Sequence, residues 1–125
     1  MVLKEGRVTE EIIGAAIEIH KALGPGLLES AYEECLCHEL RLRKIPFKRQ
    51  APVSVDYKGV KLECAYRIDI LVAGKIIVEL KTVEKLKPVH KAQLLTYMKI
   101  MESPVGLLFN FNEKYLKDGL VRTVL

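Results

Sequence analysis

This sequence predicts an α/β fold with a mixed central sheet and a helical hairpin at its N-terminus. Three observations carry that expectation. Apolar residues recur at helical spacing over the first third of the chain, and after Pro46 the pattern turns to that of strands. Two nearly continuous apolar runs, at 75–82 and 105–111, then flank a helical stretch. Such runs suit strands buried on both faces, joined as a βαβ crossover.

The elements follow in order. Thr9 before Glu10 and Glu11 reads as a helix start, with acids in the first turn where the helix dipole favours them. Ile12, Ile13, Ala16, Ile17, Ile19, His20 and Leu23 continue that helix until Gly24-Pro25-Gly26 stops it. A second helix over 27–43 carries Leu28, Ala31, Tyr32, Cys35, Leu36 and Leu40 as its apolar stripe, completing an αα-hairpin. A strand over 49–57 ends at the turn Tyr57-Lys58-Gly59. The next, over 61–72, puts Leu62, Cys64, Tyr66, Ile68, Ile70 and Val72 on one face. A third strand spans 75–82. Pro88 opens a helix over 89–102, with Val89, Ala92, Leu94, Leu95 and Met98 at helical spacing, and Ser103-Pro104 closes it. A strand at 105–111 and a short edge strand near 120–124 complete the order α-α-β-β-β-α-β-β. Nothing along the chain marks a repeat or a linker, so residues 1–125 are expected to form a single domain.

The composition excludes several classes. Half of the residues are hydrophobic and 29% are charged, which is a globular balance. No apolar run approaches the roughly 18 to 20 residues of a membrane span. The first residues lack the apolar core of a signal peptide, so a cytoplasmic protein without a membrane partner is expected. The net charge of +4 suits a polyanion without requiring one. Basic residues gather at Arg41, Arg43, Lys44, Lys48 and Arg49, and again at Lys81, Lys85, Lys87 and Lys91. Such clusters can track phosphates; solvated loops are the plainer alternative. The three cysteines are odd in number and read as small hydrophobes rather than a disulfide framework.

The chemistry concentrates in residues 66–81. Asp69, Glu79 and Lys81 lie inside two apolar runs joined by a glycine turn, where a charge is costly unless paired or metal-bound. Glu79 and Lys81, two apart on a strand, share a face. A three-residue loop over 73–75 would set Asp69 across from Glu79 on that face, with Cβ atoms about 5 Å apart. Two carboxylates so placed call for a cation or a shared proton. Mg²⁺ or Mn²⁺ suits such oxygen donors, and with Lys81 alongside the set could hydrolyse phosphodiester bonds. A two-residue turn would instead oppose Asp69 to Val78 and send its carboxylate to the other face. A cross-strand ion pair on a solvated face is the simpler alternative.

Gly26-Leu27-Leu28-Glu29-Ser30-Ala31-Tyr32 resembles the motif that names the GxxExxY family. Asp69 with Glu79-Leu80-Lys81 resembles the PD-(D/E)XK nuclease core, and Gln93 and Tyr97 resemble the Q-x-x-x-Y element of its RecB-like branches. The resemblance implies a restriction-endonuclease-like α-β-β-β-α-β core and metal-dependent cleavage of nucleic acid, DNA before RNA. It assigns Asp69, Glu79 and the Leu80 carbonyl as ligands of Mg²⁺ or Mn²⁺, with Lys81 as the catalytic lysine. Glu29 takes the place of the helical acid that helps hold or orient the metal, and counts with Asp69 and Glu79 among the catalytic residues. Gln93 and Tyr97, four apart on one helix face, would touch substrate or brace the site. Lys85 and Lys91 would contact phosphates. Ile68 stands where the nominal motif has proline.

Glu29 also admits a simpler reading as a first-turn helix acid, with Glu33 as its alternate if the helix is rotated. His20 reads as a packed or capping histidine, and Tyr57, Tyr66 and Tyr115 as core or sheet residues rather than stacking platforms. Two other functions remain open. One is a nuclease-fold module that binds nucleic acid or a protein without cutting. The other is a hydrolase of small phosphorylated compounds. A chain this short has little room beyond a catalytic core, so a homodimer or an accessory subunit would assist substrate selection.

Overall fold

The computed structural model describes residues 5–125, apart from the side chains of residues 63–65. Helices α1 (Gly6–Leu23) and α2 (Glu29–Leu42) precede strands β1 (Phe47–Tyr57), β2 (Val60–Val72) and β3 (Ile76–Lys81). Helix α3 (Pro88–Met101), β4 (Val105–Asn110), a short 3-10 turn (Leu116–Gly119) and β5 (Leu120–Val124) follow. The five strands form one sheet in sequence order. Every neighbouring pair is antiparallel except β3 and β4, which run parallel across the α3 crossover. The order α2-β1-β2-β3-α3-β4 is the expected α-β-β-β-α-β core. No described helix is long and apolar enough to cross a membrane.

The sheet separates two apolar layers. On one side α1 and α2 pack Ile12, Ala16, Ile19, Tyr32, Leu36 and Leu40 against Ile70, Val72, Ile76, Val78, Leu80 and Phe109. On the other, α3 packs Leu94, Tyr97 and Met98 against Ala51, Val53, Ile68, Ile77 and Leu108. Helix α3 lies close to β4 because Gly106 has no side chain: a Cβ there would meet Met98 Sδ at 2.5 Å. The central strands β3 and β4 are buried on both faces, as their apolar runs predict.

Several expectations give way. Helix α1 begins at Gly6, so Thr9 is not its cap; it lies buried, its hydroxyl without a described partner. The helix gains a turn because the Thr9 amide donates back to the Glu5 carbonyl. In α2, Leu28 is 77% exposed and Cys37 is buried in its stead. Leu28 is the N-cap, outside the helical turn that carries the stripe. Cys37 is therefore core, while the Cys64 side chain lies outside the described residues, as does the segment 1–4 on which the signal-peptide expectation rests. On α3, Val89 and Ala92 face outward and Tyr97 takes a core position. Tyr57 in β1 and Tyr66 in β2 are sheet residues, as expected, though exposed, whereas Tyr115 is exposed and lies outside the sheet.

The largest departure concerns β2. Leu71 faces the α3 layer while Ile70 and Val72 face the α1–α2 layer, as alternation requires. Ile68 should then join Ile70, yet it packs under α3. The alternation slips at Asp69. Strand β1 slips at the same level: Phe47 packs with α1 and α2, and Ala51 and Val53 with α3. Gln50, between them, has a left-handed backbone at φ 52°. Because both strands slip together, the pairs Arg49–Ile70 and Ala51–Ile68 keep one register.

Candidate active site

The β2–β3 connection closes over the three residues Ala73, Gly74 and Lys75, where the Lys75 amide donates to the Val72 carbonyl. Ala73 and Gly74 hold positive φ at 53° and 68°. The register Ile70–Val78, Leu71–Ile77 and Val72–Ile76 is the one that brings Asp69 level with Glu79. The shared face does not follow, because the slip turns Asp69 toward the gap where β2 leaves β3. There its Oδ2 accepts a hydrogen bond from the Leu80 amide at 2.8 Å. The N–H and C=O of one strand residue point to the same edge, so the Leu80 carbonyl opens on this gap as well.

Glu79 belongs with Ile77 on the α3 side. It is 5% exposed, and its Oε1 is buried without a hydrogen-bond partner among the described groups. Burial first, then the charge of Asp69 and a hydrogen bond shared with it, push the Glu79 carboxyl up to about 9; Lys81 opposes the rise. Glu29, at the first position of α2, lies near Asp69 and Lys81 from the other layer. Burial raises its carboxyl, and so does the charge of Asp69, while Lys81 and the Thr82 backbone pull it down. Glu29, Asp69, Glu79 and Lys81 therefore form one electrostatic neighbourhood at the C-terminal end of β3.

The geometry of this group is a carboxylate pair with a third acid near it. Among the described residues no three Asp, Glu, His or Cys side chains close on a single point. The donor set still suits a hard divalent cation. Glu79 has an orphaned buried oxygen, Asp69 lies against it, and the Leu80 carbonyl shares their edge.

Other expected residues stand around this centre. Tyr97 is buried on α3, and its hydroxyl is raised by burial and then by the charge of Glu79, with Gln93 opposing the rise, so it lies close to the pair. Lys85 is exposed in the loop after β3, beside Val83, Glu84, Lys87 and His90. Lys91 is exposed on the first turn of α3, with no described contact to the carboxylates. Glu33 is not an alternate for Glu29: its two oxygens are taken by Arg49 Nε at 2.6 Å and Gln50 Nε2 at 2.8 Å. His20 is packed, as expected, with Nε2 2.7 Å from the Glu113 carbonyl oxygen.

Sequence reasoning missed three supports. Gln50 Nε2 also reaches Asp69 Oδ1 at 3.5 Å, linking Asp69 to the buried Glu33. Buried Asn110 holds the backbone just past Lys81. Its Oδ1 accepts from the Val83 amide at 3.1 Å and the Asn112 amide at 3.2 Å, and its Nδ2 donates to the Val83 carbonyl at 2.9 Å. Tyr32 stacks on Phe111 with ring centroids 4.5 Å apart. Its hydroxyl donates to the Gly24 carbonyl and accepts from the Leu27 amide, bracing the loop that delivers Glu29. A buried polar residue at the end of an apolar run, as Asn110 is, was the one signal available for these.

The family described as the PD-(D/E)XK nuclease superfamily matches the chain over residues 6–123. Neither the curated proteins nor the solved structures give a match. The matched span takes in the carboxylate pair, Lys81, Glu29 and the whole sheet, and the chain belongs to the PD-(D/E)XK nuclease superfamily.

Proposed function

We propose that this chain is a metal-dependent nuclease that hydrolyses phosphodiester bonds in DNA, working as one nuclease-like domain in the cytoplasm. One observation carries the reading: a buried carboxylate with an unpartnered oxygen, Glu79, held against a second carboxylate at the end of a central strand. An acid in that position is a poor choice for stability alone, since burial without a partner is costly. A bound divalent cation would offset that cost.

Asp69, Glu79 and the Leu80 carbonyl would hold Mg²⁺ or Mn²⁺, with Glu29 orienting the site from α2. When bound, the metal would polarise the scissile phosphate and acidify a water. The residues of the chain supply the remainder. The Leu80 amide and Gln50 fix the Asp69 carboxylate before substrate arrives. Lys81 brings an ammonium to the same end of β3, to steady charge on the phosphate or to orient the attacking water. Asn110 and the Phe111 amide, which donates to the Lys81 carbonyl at 2.9 Å, keep that lysine's backbone in place. Lys85, Lys91 and Gln93 would meet the substrate on the α3 side. The GxxExxY and Q-x-x-x-Y resemblances support assignment to a RecB-like branch, and a dimer or an accessory subunit would extend the DNA contact.

Cleavage of circular and linear DNA with Mn²⁺ or Mg²⁺, beside Glu79→Ala, tests the reading. Metal-dependent cutting that the variant loses is the expected result. No cutting, or equal cutting by both proteins, would overturn it in favour of a binding module.

A further inference from the structure

Beside the carboxylate pair, a groove of about 400 Å³ runs between α3 and the outer part of the β1–β2 hairpin. Its walls are mostly apolar: Leu62 and Tyr66 from β2, Tyr97 and Ile100 from α3. Tyr66 is 42% exposed and lies tilted against Tyr97, ring centroids 6.4 Å apart. Gln93 and Thr96 supply an amide and a hydroxyl at the rim. Large apolar side chains left open on a short chain point to a ligand.

We propose that this groove binds an unpaired nucleobase of the strand being cut, so that the enzyme acts on single-stranded segments or frayed ends in preference to intact duplex. The inference rests on the nuclease reading and deepens it. Continuity with the candidate active site argues for this occupant. Tyr97 forms the groove wall and packs in one layer with Ile68, next to Asp69, and Ile77, two before Glu79 on the same strand face, so a phosphate at the carboxylates brings its neighbouring base to the groove mouth. The exposed Tyr66 ring, with the Gln93 amide and the Thr96 hydroxyl in the same groove, matches a base, which has a π-face and a polar rim. A paired base inside a duplex stack cannot enter a pocket of this kind.

The slip in β2 makes the groove possible. It moves Ile68, and Tyr66 two residues before it, to the α3 side of the sheet, so an exposed tyrosine meets Tyr97 instead of α2.

The test measures binding by the full-length chain in EDTA, so that no cutting intervenes. The probes are fluorescein-labelled oligothymidylate and a blunt duplex of equal length. Wild type should prefer the single strand. Tyr66→Ala should weaken single-strand binding about 5- to 150-fold, the scale of one base–aromatic stack, and leave duplex binding nearly unchanged. Ile100→Glu, which sets a carboxylate on the groove wall, should do the same, and it decides the matter if Tyr66→Ala melts early. The proposal is overturned if a folded variant binds the single strand like wild type, or if both probes weaken equally. It is also overturned if sedimentation reveals a dimer that Ile100→Glu dissociates, since a second copy would then fill the groove. The two readings fail separately. Metal-dependent cutting with a Tyr66→Ala that binds normally sinks the groove alone; selective loss of single-strand binding without any cutting sinks the nuclease alone.

Discussion

Asp69 Oδ2 stands 2.8 Å from the Leu80 backbone nitrogen, in the place where β2 would otherwise offer β3 a carbonyl. A side chain thus completes the ladder at the point where the two strands part, and the same side chain faces Glu79. Structure and chemistry are joined in one carboxylate, and conservative variants separate them.

Asp69→Asn keeps an oxygen that can accept from the Leu80 amide but loses the charge. Cutting should fall roughly 100-fold or more, the scale of removing one preorganised electrostatic group, while the melting temperature stays near that of wild type. Asp69→Ala should lose activity to the same extent and also about 1 to 3 kcal/mol of stability, because the buried amide is stranded. Thermal unfolding beside a cleavage assay distinguishes the two; equal melting temperatures would contradict the ladder role.

The raised pKa of Glu79 has a thermodynamic consequence. The folded chain keeps a proton that the unfolded chain releases, between the ordinary 4.5 and about 9. The native state then binds more protons, so stability of the metal-free protein falls as pH rises through that window and levels off outside it. Glu79→Gln should flatten the fall and raise the melting temperature at neutral pH by about 2 °C or more. Mn²⁺ should stabilise wild type and have little effect on the variant. A metal-free wild type that grows more stable with pH across the window would refute the assignment.

Tyr32→Phe removes a hydroxyl that serves Gly24 and Leu27 together. A loss of about 1 to 3 kcal/mol is expected from the stranded backbone groups. Cutting should weaken as well, since the loop that sets Glu29 loosens, although Tyr32 is buried in the core and meets no substrate. Full activity with normal stability would show that the tyrosine of this motif braces nothing.

Asn110→Ala strands the Val83 amide and carbonyl and the Asn112 amide. The expected cost is about 2 kcal/mol or more, with a drop in the turnover of Lys81-dependent cleavage. Asn110→Asp, which retains the acceptor and loses the donor, should recover part of both. Denaturant unfolding and single-turnover rates provide the measurements.

Much of the fold was legible because it depends on period and punctuation. Gly24-Pro25-Gly26, Lys58-Gly59 and Pro88 mark breaks that backbone chemistry enforces, and the apolar run at 75–82 forecasts a strand covered twice. Of the two β2–β3 loop lengths the sequence left open, the three-residue loop is the one that forms. What escaped is tertiary. Ile68 and Ile70 have the same parity in any strand, so no pattern reveals that they serve opposite layers. The partners of Glu33 come from β1, sixteen and seventeen residues away, and the amides held by Asn110 belong to loops with no signal of their own. Asp69 and Glu79 were found from their cost inside apolar runs and Glu29 from a resemblance; their supports, being satisfied, left no such trace.

Asp69 sits where one strand crosses from the upholstery of one helical layer to that of the other. A change of packing behind Ile70 and a change behind Ile68 would each rotate the same short piece of backbone from opposite sides. Evolution therefore has two independent handles on the aim of a single carboxylate, and neither requires touching a charged residue. Relatives that differ in turnover should carry their differences in these two apolar layers as often as around the acids themselves.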